Sequence, residues 1–166
     1  MSAKREIQPR GFTVGLALVD FLPVIIFSIM FAILAYRLHL VVFTMGTVLV
    51  AFAGLLKATW KLIVAMTGKN IVWMNLQMRT TMPLGFLLIL SEIIAQSAVY
   101  RTLNIVFVFA HISLASWIFI VLGCVAMIAM SVFAFTLDKN DTQSNWIEQI
   151  TNTCGQLCFL LAVICA

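Results

Sequence analysis

Charge is what this chain has least of. Only 10% of its 166 residues are Asp, Glu, Lys or Arg, and 6 residues in all are acidic. A soluble domain carries roughly a quarter of its residues charged and about half apolar, whereas here 63% are apolar and the mean hydropathy is +1.12. A domain this short leaves much of its surface outside, so no soluble fold could hide so much apolar side chain. Lipid is the solvent this composition requires. The net charge of +4 comes from a shortage of acids. Lys and Arg stand at the ends of apolar runs instead of forming a stripe, which excludes nucleic acid as a partner and reads as membrane orientation.

Other absences narrow the chemistry. There is no Walker loop, H-E-x-x-H, G-x-S-x-G or metal-spaced cysteine set, so neither an enzyme class nor a cofactor is indicated. Cysteine is confined to Cys124, Cys154, Cys158 and Cys165. Cys154 and Cys158 share a helix face but are not a C-x-x-C redox pair, and all four read as small buried hydrophobes. Histidine occurs only as His39 and His111. One of them falls at a membrane boundary, which argues against bis-histidine haem.

The basic start "MSAKREIQPRGF" turns apolar in the manner of a signal peptide, but the apolar run continues from Gly11 to Tyr36 without an A-x-A cleavage site. It is expected to be a retained first span. A spanning helix needs about 20 mainly apolar residues, and on that measure spans fall at 13–36, 40–62, 83–100, 105–136 and 146–166. Residues 67–82 read as an interfacial segment, with Thr81 and Pro83 as the start signal of the third span. The fold class is therefore all-α: a polytopic bundle forming one integral membrane domain over 1–166. About five spans are expected, with four plus a half-inserted C-terminal helix as the alternative.

Orientation follows from the bases. Lys4, Arg5 and Arg10 precede span one, and Lys57, Lys61, Lys69 and Arg79 lie on the same side, against Arg37 and Arg101 on the other. The positive-inside rule makes the N-terminus cytoplasmic in a plasma (inner) membrane, and five spans put the C-terminus outside. Trp60, Trp73 and Trp146 fall at the inner interface, Tyr36 and Tyr100 at the outer. Shifted by 64 residues, "AYRLHLVVF" overlies "VYRTLNIVF", a faint sign of a duplicated hairpin.

Asp20, in "LALVDFLPVII", is the first residue that could carry chemistry. At 1.5 Å per residue it lies roughly 12 Å inside the cytoplasmic boundary, where a carboxylate must find a partner or water. Three readings stay open. It could cap a helix at the surface with Pro23 in the first turn. It could be one half of a buried acidic pair. The helix could also break at Asp20 against protein, as transporter helices do. A salt bridge to Lys57 would need a favourable tilt.

Glu92, counted from Pro83, lies about 13 Å deep. That level matches Asp20, and two carboxylates at one depth could bind a cation, share a proton or hold a cationic substrate. Gln96 follows one turn on. His111, about 9 Å below the outer boundary, extends the polar line. Asn145, Gln149, Asn152 and Gln156 recur at helical spacing as one amide stripe, which seeks water or partner helices; Thr151 and Gly155 offer a small-residue contact. The expected function is ion or small-solute transport, or substrate capture within a transporter. Asp20, Glu92, Gln96, His111, Gln149, Asn152 and Gln156 would be its ligand-binding or ion path, in a homo-oligomer or a larger complex. The alternative is a non-transporting anchor or assembly subunit whose polar faces meet other membrane proteins.

Overall fold

The computed structural model describes residues 13–99, 112–138 and 141–166, and every regular element among them is helical. Five stretches are long and apolar enough to cross a membrane: Val14–Leu38, Val41–Thr67, Val72–Ala98, Leu114–Phe133 and Thr142–Cys165. The first comprises α1 (Val14–Val19) and α2 (Phe21–Leu38); the second is α3 (Val41–Thr67). The third comprises α4 (Val72–Leu76) and α5 (Met78–Ile94), extended by a wider turn over Ala95–Val99. The last two are α6 (Leu114–Thr136) and α7 (Thr142–Cys165).

Short polar side chains start three of these helices by occupying otherwise unsatisfied amides. Thr13 Oγ1 accepts from Leu16 N at 3.2 Å, Ser113 Oγ from Ser116 N at 3.1 Å, and Asp141 Oδ2 from Ser144 N at 2.9 Å. The tight ends of α2 and α3 use left-handed residues, His39 (φ 53) and Gly68 (φ 67). Glycine suits that conformation. At His39 the backbone N–H still reaches Ala35 O at 2.9 Å.

The third span begins earlier than hydropathy predicts. Helix resumes at Val72, and α4 meets α5 at Gln77, whose φ of −56 and ψ of −32 carry the helical path onward. Gln77 Nε2 secures the junction by donating to Ala53 O and Met74 O, each at 3.2 Å. Pro83 is thus inside α5 instead of starting it; it removes one donor, which membrane helices tolerate. The fifth span also starts early, at Thr142, so its polar first half is helical. Tyr100, Arg101, His111, the basic N-terminal residues and most of the second repeat copy lie outside the described residues.

Packing runs in the order α5–α3–α2–α7–α6, with α1 against α3 and α7. Among the described residues α5 and α6 do not pack along their lengths, so they form the two edges of an incomplete ring. The closest crossing is α3 on α5, where a Cβ added at Gly46 would lie 2.7 Å from Gly85 O, and one at Gly85 2.8 Å from Gly46 O. Glycines that let backbones touch are the usual device of helix association in lipid. Phe27, Met30, Phe43, Val50 and Ile89 form the core beside this crossing. On the other wall Gly155 faces Ala126 of α6, with Cβ distances of 3.1 Å. Leu18, Ile25, Phe52, Leu87, Val121 and Phe135 turn outward, as a lipid-facing surface needs.

Candidate functional site

Pro23 sets the local geometry. It lacks the N–H that would bond the carbonyl of Val19, four residues earlier, and α1 gives way to α2 at Asp20. The freed Val19 carbonyl is met instead from α7, by Gln149 Nε2 at 3.4 Å, a side chain only 6% exposed. Asp20 makes no side-chain cap on α2. It is 9% exposed, and its Oδ1 accepts from Lys61 Nζ of α3 at 2.8 Å. The break against protein is therefore the geometry adopted. The surface-cap reading fails, and Lys61 is the residue whose ammonium bonds the Asp20 carboxylate.

Around this pair lies a chamber of about 350 Å³, to which α2, α3, α5, α6 and α7 all contribute. Asp20, Lys57, Lys61 and Glu148 bring two charges of each sign, and the stripe Asn145, Gln149, Asn152 and Gln156 faces it along its whole length. Met78 and Met82 of α5 and Met127 and Met130 of α6 form the softer wall. A second cavity of about 530 Å³ continues toward the other end of the bundle, lined by apolar side chains such as Phe31, Leu34, Ile120 and Phe159. Phe27, Phe86, Met127 and Gln156 line both, so the two adjoin. Gln156 Oε1 is buried at this junction and has no hydrogen-bond partner among the described residues.

Of the residues expected to act together, Asp20, Gln149, Asn152 and Gln156 do converge on one chamber. Glu92 and Gln96 do not. Gln96 Nε2 donates to Glu92 Oε1 at 2.9 Å, one turn along the same helix, and neither residue lines the chamber. The expected common depth of the two carboxylates is corrected by the α3–α5 crossing. From Gly46, Lys61 is 15 residues away in one direction; from Gly85, Glu92 is 7 residues away in the other. At 1.5 Å per residue, Asp20 and Glu92 are roughly 30 Å apart along the bundle. The cause is the early start of the third span, which carries Glu92 toward the far end. The continuous polar line is thus interrupted, and His111 lies outside the described residues.

The cysteines differ from expectation as well: Cys124, Cys154 and Cys165 are exposed, Cys158 is half-buried, and all four are free thiols. The three exposed ones lie on outward faces, where a small apolar side chain also suits lipid. Thr151 and Gly155 had promised a small-residue contact; Gly155 makes it, against Gly123 and Ala126.

Sequence reasoning missed Lys61, Glu148 and the four methionines. The signal was there in part: Lys57 and Lys61 share a helix face, as do Met78 with Met82 and Met127 with Met130. Outside the spans, Asp141 has its carboxyl held below the ordinary range by hydrogen bonds from the Ser144 backbone and hydroxyl. Against protein-family models, curated proteins and solved structures the chain finds no match.

Proposed function

We propose that this protein captures a small solute within the membrane, for transport or for delivery to a transporter, in the chamber beside Asp20 and Lys61. One observation carries the reading: a polar chamber, balanced in charge, framed by all five spans around an ion pair whose carboxylate is buried. Taking a carboxylate and an ammonium out of water is costly even when they pair, so a purely structural bundle gains little by it. A broken helix backed by polar side chains is also how membrane proteins expose binding groups at depth. The basic end would face the cytoplasm of a plasma membrane and the C-terminus the outside, on the positive-inside rule. The assembly-subunit alternative drew on outward polar faces, and the amide stripe turns inward to the chamber. A homo-oligomer is not needed to build this site, since one chain lines it.

The test is native mass spectrometry of the gently solubilised full chain, wild type against Asp20→Asn/Lys61→Gln. The double change removes both charges together and so leaves neither unpaired. The expected result is a small-molecule adduct on the wild type that falls by about tenfold in the variant, the equivalent of about 1.4 kcal/mol, at unchanged melting temperature. Equal adducts on both proteins would remove the ion pair from the capture site. A stoichiometric foreign subunit without a small adduct would favour the assembly role.

A further inference from the structure

Resting on that reading, we infer that the captured solute is a zwitterionic single-chain amphiphile of the lysophospholipid type. Its head would lie in the polar chamber and its tail in the adjoining apolar cavity. Three independent features specify it.

The first is the pairing of two unlike cavities end to end. The apolar one extends along α7 from Gln156 to Ala166 and along α2 from Phe27 to Arg37. Ten residues of helix make it about 15 Å long, a slot suited to one hydrocarbon chain. Each cavity falls within the range of about 300–1,000 Å³ typical of small-ligand sites. Arg37, at the far mouth, is turned to the C-terminal end of α7, its Nη1 donating to Val163 O at 3.1 Å.

The second feature is charge. The chamber holds two carboxylates, Asp20 and Glu148, and two ammonium groups, Lys57 and Lys61. A head of single sign would leave an excess charge among half-buried groups that already balance, which is unfavourable. A zwitterion adds none: its cation faces the carboxylates and its anion the lysines.

The third is the unsatisfied Oε1 of Gln156 where the cavities meet. A buried acceptor without a donor is destabilising, because it has given up water and gained no partner. An occupant that carries a hydroxyl between head and tail would supply that donor. A lysophospholipid has such a hydroxyl on its glycerol. A diacyl phospholipid has esterified it, and a fatty acid has no group there. Among the described residues the edges of α5 and α6 do not pack along their lengths, which gives an amphiphile a sideways route from the bilayer.

The experiment uses the full chain in phosphatidylcholine nanodiscs, titrated with lysophosphatidylethanolamine and read by native mass spectrometry. One saturable adduct is expected, held about tenfold more tightly than diacyl phosphatidylethanolamine or glycerophosphoethanolamine, the head group alone. Gln156→Leu removes the acceptor and should weaken lysolipid binding by about fivefold or more. Ile120→Trp fills the tail slot and should weaken it by about tenfold while sparing the head-group compound; Leu34→Phe reads the same slot if that variant does not fold. Non-saturating adducts, alike for one-chain and two-chain lipids and unchanged in the variants, would mean bulk lipid only and overturn the inference. Glycerophosphoethanolamine binding as tightly as the lysolipid would overturn it too, yet leave solute capture standing. Binding unaffected by Asp20→Asn/Lys61→Gln would remove the ion pair from the capture site and overturn the placing of the head in this chamber.

Discussion

At the basic end of the bundle Asp20 is 9% exposed and bonds Lys61 across two helices, whereas toward the far end Glu92 is half-buried and bonds Gln96, one turn along its own helix. Both are lone acids in apolar runs. The difference lies in what surrounds them. Pro23 interrupts the helix at Asp20, so α1 and α2 can present a side chain and a free carbonyl to α3 and α7. Nothing interrupts α5 at Glu92, so its carboxylate is served locally. A polar residue in a membrane helix becomes part of a site when the backbone beside it is also unsatisfied.

That contrast can be broken from either side. The largest effect is expected for Asp20→Asn alone, which takes the carboxylate away from the half-buried Lys61 ammonium and should cost about 3 kcal/mol, the lower end for such a pair. Denaturation in detergent measures it, and adding Lys61→Gln should restore most of the loss. A single variant as stable as the wild type would show that the pair does not tie α2 to α3.

Next comes Gly85→Ala, which attacks the crossing that keeps the two acids apart. Its Cβ would lie 2.6 Å from Val50 Cγ2 and 2.8 Å from Gly46 O, an overpacking worth about 1–3 kcal/mol. Gly123→Ala should cost less, because the atoms nearest the new Cβ belong to the ring of Phe159, at 2.7 Å, a side chain that can turn. If the two cost the same, the crossings are equally rigid and the distinction fails.

Glu92→Gln should change stability by no more than about 0.5 kcal/mol, since an amide can still bond Gln96 at this spacing. It should also leave the adduct spectrum untouched; a lost adduct would return Glu92 to the binding path.

The smallest effect belongs to Asp141→Ala. Because hydrogen bonds donated by Ser144 hold this carboxyl below the ordinary Asp range, its contribution is present above that range and lost as pH falls through the lower folded value. The wild-type advantage in melting temperature should therefore shrink only below about pH 4, near the ordinary Asp range. An advantage that persists at lower pH would mean the cap does not depend on the charge.

Hydropathy alone made the membrane bundle and the number of spans legible, because an apolar run of sufficient length has few other uses. The amide stripe was legible too, since Asn145 to Gln156 repeat with the helix period and one face had to be inward. The start of the third span was not. Asn75, Gln77, Arg79, Thr80 and Thr81 look like a loop by polarity, but Gln77 and Thr80 bond nearby carbonyls and the helix runs through them. Glu92's level, counted from Pro83, inherited that error. The choice of Lys61 over Lys57 rests on helix rotation, which one turn of spacing does not fix.

Two contacts described above bear on synthesis. Gln149 bonds Val19 and Arg37 bonds Val163, pairings separated by 130 and 126 residues. A helix made late is therefore fastened to a span made more than a hundred residues before it. Until α7 has left the ribosome, the Val19 carbonyl has no Gln149, and one wall of the polar chamber is missing. A nascent chain halted before residue 149 would hold Asp20 and Lys61 in a cleft still open on the side that α7 lines.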